Sequence, residues 1–407
     1  MIKRILERAK TIFKLTIKLV AVLLVVTVLY SFNLFMMKPF SIDHYLGKEL
    51  ILDLIESPEE LTYVGILDKF DWITNHNSKL SIPQDDDIEN DIKQIEKVIK
   101  TLYKYDDSKL SDIQKSTKKI AIFDYENQLK ELKDFPYLDY PLNQIGGIHL
   151  NTIEFMNSVH PIRSDSEAIA FIKRTDSIMD VYQGVLNHLK NQADNGIYPP
   201  EFVYDHVINQ LDEFINVANT EHPLYKQFML KIMELKLSND QVDYLENEIT
   251  RSINESVTPG FKLLRNFMAN TKKNANSNHG IWSQPGGDEY YKLKIRTFTT
   301  TDYLPEEIHQ IGLNEVKRIS SRMREILTSL GYAESKSVGE LMNELNENPD
   351  FLYADTSDRK EIVVNDYTDM VNEAIRVMTD YFHTMPKSEV IVKAVPEYSE
   401  QNAAGGY

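Results

Sequence analysis

Between Leu19 and Met37 the sequence runs nineteen residues without a charge, LVAVLLVVTVLYSFNLFMM. As a helix rising about 1.5 Å per residue, such a run crosses a hydrocarbon core of roughly 30 Å. It is apolar on every side, unlike the one-faced pattern of a helix lying on a soluble core. Seven basic residues (Lys3, Arg4, Arg8, Lys10, Lys14, Lys18, Lys38) fall in the first 38 positions against one acid, Glu7. Six of them precede the run, so the positive-inside rule keeps the N-terminus cytoplasmic and exports the rest of the chain. A cleaved signal peptide is the competing reading, but it needs small residues at the cut, and YSFNLFMMKPF offers no A-x-A arrangement. The expectation is a single-pass membrane protein, held in the lipid bilayer through Leu19–Met37, with its main domain periplasmic or otherwise extracytoplasmic.

The exported part is acidic. The whole chain carries a formal charge of -17, and with +6 in the first 38 residues the remainder carries -23. That balance argues against nucleic acid, whose phosphates need a basic footprint. Cysteine is absent, which removes disulfides, thiolate metal sites, a cysteine nucleophile and a lipid-modified N-terminal cysteine. Fifteen glycines and fifteen prolines in 407 residues are too few for a many-turned all-β protein. The fold class expected is mainly α, a membrane-anchored, bundle-like helical domain.

The punctuation marks three regions: a basic leader and anchor over 1–40, an N-terminal helical region over 41–145, and a larger helical domain over 146–407. In the second, Ile88, Ile92, Ile95, Ile99 and Leu102 form one helical stripe, and aspartates 85–87 suit the positive end of that helix as caps. FPYLDYPLNQIGG at 135–147 is a loop at the seam. A long helix opens on the box Ser164 to Glu167, with Ile169, Ile172, Ile178, Met179, Val185, Leu186 and Leu189 on its buried side, and stops at Asn195–Gly196. Pro-Pro at 199–200, Pro223, and Ser238 with Gln241 open further helices. Antiparallel helices joined by short loops are implied. The β-branched alternation of EVIVKAVPEY predicts one short strand, Val390–Val395, near the end.

None of the ten histidines is followed by glutamate, so the zinc-hydrolase pattern H-E-x-x-H is absent, as are G-x-S-x-G, the P-loop and the dinucleotide fingerprint. His309 shares a helical face with Gly312, Leu313, Val316, Met323 and Leu327; this fits a satisfied core histidine first and a substrate-side donor or base second. Tyr290 and Tyr291 with Arg296 can bind a carboxylate or a peptide carbonyl, although a Tyr-Tyr pair at helical spacing more often packs.

From about residue 150 onward the order of features resembles a large bacterial family, domain of unknown function 885, whose members look like zinc metallopeptidases. The resemblance rests on DNGIYPPEFVYDHVINQL at 194–211, SVTPGFKLLRNFM at 256–268, PGGDEYYKLKIRTFTTTDYLPEEIHQIGLNEVKRISSRMREI at 285–326, NPDFLYAD at 348–355 and VKAVPEY at 392–398. In the family these are followed by an H-E-x-x-x-G-H-H type motif and a G-W-A-L-Y-x-E segment, which look like zinc ligands and base, and neither occurs in this sequence. The resemblance therefore implies the N-terminal portion of a membrane-anchored zinc metallopeptidase-like protein whose 146–407 domain is incomplete. Zinc is expected only in a full-length relative, and no catalytic residue or metal ligand is assigned here. A genuine short binding or regulatory module, and half of a split enzyme completed by a missing C-terminal half, are the other readings. The resemblance further implies that Tyr290, Tyr291, Arg296, His309 and Tyr407 lie near a peptide-substrate groove, as contacts rather than metal ligands.

Overall fold

Helix α1, Ile2–Met36, contains the apolar run. Among the described residues it is the one helix long and apolar enough to cross a membrane, and over Ile12–Met36 none of its apolar window is buried against protein. Its end is fastened. The Asn33 amide donates to the Lys38 carbonyl and accepts from the Phe40 N–H, both at 2.9 Å. Tyr105 donates to the Pro39 carbonyl at 2.8 Å, while the Lys38 ammonium reaches the Lys104 carbonyl at 3.0 Å and lies 4.6 Å from the centre of the Tyr105 ring. The computed structural model describes residues 2–84, 87–275 and 277–394, with side chains from residue 12 onward. It divides into two units, Met1–Leu304 and Pro305–Tyr407.

In the first unit α2 (Ile42–Glu56), α3 (Pro58–Val64) and the short α4 (Asp71–Thr74) precede α5 (Asp87–Leu102) and α6 (Asp112–Asp134). Of the stripe expected on α5, Ile95 and Leu102 are buried and Ile88, Ile92 and Ile99 half-buried, while Val98 and Leu102 pack with Ile42, Tyr45 and Tyr105. Asp87 opens α5, its carboxylate accepting the Gln84 N–H at 2.6 Å; Asp85 and Asp86 lie outside the described residues. Ser111 and Gln114 form a reciprocal capping box on α6.

The main core is built on α8 (Asp165–Asp194), which packs against α11 (Asn239–Ser252) and α12 (Thr258–Thr271), with α7 (Ile148–Glu154), α9 (Glu201–Asn216) and α10 (Pro223–Met233) around them. At the start of α8 the box is only half formed. Ser164 accepts the Glu167 N–H at 3.3 Å, but the Glu167 carboxylate turns to Arg163, taking its backbone N–H at 2.5 Å and its guanidinium at 2.7 Å. A charged donor outcompetes the neutral Ser164 N–H. Between α11 and α12 the chain stays helical through a π turn, Ile253–Val257, which lets the Ser256 hydroxyl accept the Met179 N–H of α8 at 2.9 Å. Helix α13 (Gly287–Thr299) completes this unit.

The second unit contains α14 (Pro305–Ser329), α15 (Val338–Glu347) and α16 (Arg359–Met378). Leu327 and Leu341 are buried, and Ser337 with Glu340 forms another capping box. The strand expected at Val390–Val395 does not form: residues 390–394 are irregular, no strand occurs among the described residues, and Val395 lies outside them. Alternation gives a segment two faces, but its backbone groups need a second strand to bond to, and none of the described residues supplies one. The regular structure described is entirely helical.

Candidate functional site

A hollow of about 510 Å³ opens where α2, α5 and α6 meet the 135–139 loop and one residue of α8. Its lining mixes apolar side chains, Ile88, Ile95 and Val98 from α5, Leu132 from α6, then Phe135 and Pro136, with acidic ones: Glu49 and Asp53 one turn apart on α2, Asp91 on α5, Glu131 on α6 and Asp139 on the loop. Among the described residues His188 is the one basic side chain lining it.

Three of the five carboxylates have cationic or histidine partners. Lys48 pairs with Glu49 at 2.6 Å, Lys294 with Glu131 at 2.5 Å, and His188 Nε2 lies 2.8 Å from Asp139. The Asp139 carboxylate also accepts from the Gln192 amide at 3.2 Å. Asp53 has only the Gln94 amide, at 3.4 Å, and Asp91 faces no basic side chain within ion-pair distance among the described residues. Partial desolvation, then the Glu49 and Asp91 charges, raise the Asp53 pKa; desolvation and Asp87 raise that of Asp91. Burial raises the Tyr125 phenol, with Asp53 and Glu49 adding to it. The cleft thus holds uncompensated negative charge among apolar side chains, the electrostatic complement of a cation on an aliphatic stem.

Among the described residues no serine, threonine or cysteine lines it. Nor is any group of three or more His, Asp or Glu side chains among the described residues placed to hold a metal ion.

Of the residues singled out from the sequence, Tyr290 comes closest to this cleft. Its ring meets Phe135 edge-on at 5.6 Å and its hydroxyl donates to Glu131 at 3.4 Å, two residues that line the cleft. Tyr291 is about half exposed, and Arg296 is paired with Asp302 and lies 5.1 Å from the centre of the Phe123 ring; neither lines the cleft. His309 is exposed on α14, in the second unit, rather than set in a core. Tyr407 lies outside the described residues. The cleft carboxylates went unnoticed in the sequence because they come from separate segments. The available signal was Glu49, a charge on the same helical stripe as the buried Ile42 and Tyr45.

A family model for bacterial proteins of unknown function, DUF885, matches residues 58–407. The chain belongs to the DUF885 family. No curated protein matches it. Solved structures do, among them a candidate lipoprotein from Colwellia psychrerythraea, 24% identical with a TM-score of 0.77, and a candidate lipoprotein of unknown function from Shewanella oneidensis, 12% identical with a TM-score of 0.54. The matches cover 86% and 83% of this DUF885 chain, and 62% and 61% of those two chains. At these identities the likeness is one of fold, and this chain spans about three-fifths of the length of those solved relatives.

Proposed function

We propose that this DUF885 chain is a membrane-anchored, extracytoplasmic peptide-binding body, which takes a lysine or arginine side chain of a peptide into the cleft between α2, α5 and α6. The observation that carries the reading is the pair Asp53 and Asp91, two carboxylates without a cation among apolar side chains. The apolar side chains suit the methylene stem and the carboxylates suit the head group. The basic first half of α1 and the acidic bulk after the helix support the orientation, N-terminus inside and body outside.

The zinc metallopeptidase reading is kept at one remove. Because the described residues offer no metal cluster, hydrolytic chemistry in a full-length relative would be supplied by residues outside them, and this body would hold the substrate. Binding without catalysis, as a regulatory module, is the alternative that the same cleft serves.

Titration of the full chain in lipid nanodiscs with a lysine-containing peptide, and with the same peptide carrying norleucine in place of lysine, tests the proposal. Salt-sensitive binding of the first and not the second is the expected result. Equal affinity for both refutes it. Elemental analysis and a peptide-cleavage assay on the same sample separate the two alternatives: stoichiometric zinc with chelator-sensitive cleavage would move catalysis into this chain.

A further inference from the structure

Just past the elbow that fastens α1, apolar side chains face outward from elements that are firmly held. On α2 the exposed Leu50, Ile51 and Ile55 lie on the face opposite the buried Ile42, Tyr45 and Glu49. Tyr63, Phe70 and Trp72 come next on α3 and α4 and the turn between them, all exposed, Trp72 to 81%. The backbone that carries them is pinned: Arg163 pairs with Asp68 at 2.8 Å, and Asp71 accepts the Asn77 N–H at 2.9 Å. An outward aromatic and aliphatic surface on fixed backbone marks a contact.

We propose that this surface, running from Leu50 to Ile73, rests on the bilayer that α1 crosses. The inference depends on the proposal that α1 is a membrane anchor. Two observations select lipid as the occupant. Helix α2 starts within six residues of the end of α1, and the bonds of Asn33, Lys38 and Tyr105 fix that elbow, so the body is held at the interface in one pose. The residues themselves, a tyrosine and a tryptophan beside aliphatic side chains, have the chemistry of an interfacial belt. The surface thereby orients the body, and with it the acidic cleft, relative to the membrane.

The chain has two tryptophans, which makes the test direct. Trp282→Phe leaves Trp72 as the reporter, and Trp72→Phe leaves Trp282, itself 60% exposed, as the control. The full-length variants are reconstituted into phosphatidylcholine and phosphatidylglycerol vesicles containing lipids brominated near the head group. Expected are co-flotation, a blue shift and bromolipid quenching of Trp72 with protection from acrylamide, and neither effect at Trp282. A doubly charged variant, Phe70→Glu with Ile73→Glu, should still float and should return Trp72 to acrylamide. Co-flotation with Trp72 unquenched by bromolipid and open to acrylamide overturns the docking and leaves the anchor standing. Failure to float overturns the anchor reading itself. Protection that scales with protein density, without bromolipid quenching, assigns the surface to a second copy of the chain and also overturns the proposal.

Discussion

The Arg174 guanidinium donates to the Thr62 hydroxyl at 2.6 Å, joining residues 112 positions apart in the chain. The same buried side chain donates to the carbonyls of Lys79 at 2.8 Å, His76 at 2.9 Å and Pro58 at 3.2 Å, and to His160 Nδ1 at 2.8 Å. Each of these acceptors is neutral, and the Glu59, Asp71 and Asp68 carboxylates act on the charge without a direct bond. Burial lowers its pKa to about 10, which still leaves it charged at neutral pH. Arg174 thus binds the segment from residue 58 to residue 79 onto α8, and the family match begins at residue 58.

Replacing Arg174 with methionine keeps the volume and orphans its acceptors. The expected cost is about 3–5 kcal/mol, the range for breaking one side of a buried charged network. Thermal or urea unfolding reads it directly, and a loss below about 1 kcal/mol would show that water replaces the guanidinium.

Two buried histidines set an acid limit. Burial, then the Arg174 charge, lowers the His160 pKa to about 3; burial lowers that of His222 to about 4. The unfolded chain protonates both near about 6.5. Between those values the unfolded state binds more protons, so their contribution is complete above about pH 6.5 and is lost as pH falls toward about 4 for His222 and about 3 for His160. His222 caps α10 by accepting the Leu224 N–H at 3.2 Å, a role asparagine also fills. His222→Asn should therefore flatten the stability profile between about pH 6.5 and 4 by up to about 1.4 kcal/mol per pH unit, one proton's worth. An unchanged slope would mean that His222 titrates alike in both states.

The sequence carried the helices and their starts, because amphipathic stripes and capping boxes are local. Ile95 and Leu102 face inward as their spacing predicts, and Ser238 with Gln241 caps its helix. The apolar helix α1 was legible for the same reason. Val390–Val395 misled because alternation is local while a strand requires a partner. The cleft was hidden because Asp53, Asp91 and Asp139 converge only after α2, α5 and the 135–139 loop have packed. Arg174 is an arginine inside an otherwise apolar helical face, a pattern that announces burial without naming its acceptors.

Close backbone approach distinguishes two helical glycines. A Cβ on Gly184 of α8 would overlap the Pro83 carbonyl oxygen, whereas one on Gly47 of α2 would meet nothing within 4 Å. Alanine improves intrinsic helix propensity by about 1 kcal/mol at either site. Gly47→Ala should therefore raise stability by up to that amount. Gly184→Ala should lower it by about 1–3 kcal/mol, because the 81–84 segment must shift. Paired melting curves of the two variants check both signs.

Asp53 and Asp91 should trade stability against binding. Their folded pKa values are raised above the ordinary carboxylate value, so the folded state binds more protons in the window just above it, and stability declines as pH rises through that window. At neutral pH the ionised pair strains the fold, and Asp53→Asn or Asp91→Asn should raise the melting temperature slightly. Each variant should also weaken a lysine-containing peptide by about tenfold, roughly 1.4 kcal/mol of lost charge complementarity. The wild-type affinity should fall with added salt, and the double variant should lose most of that dependence. A structural pair would lose stability on neutralisation and leave binding untouched. A binding pair shows the reverse, because a group kept at a cost to the fold is retained for what it holds.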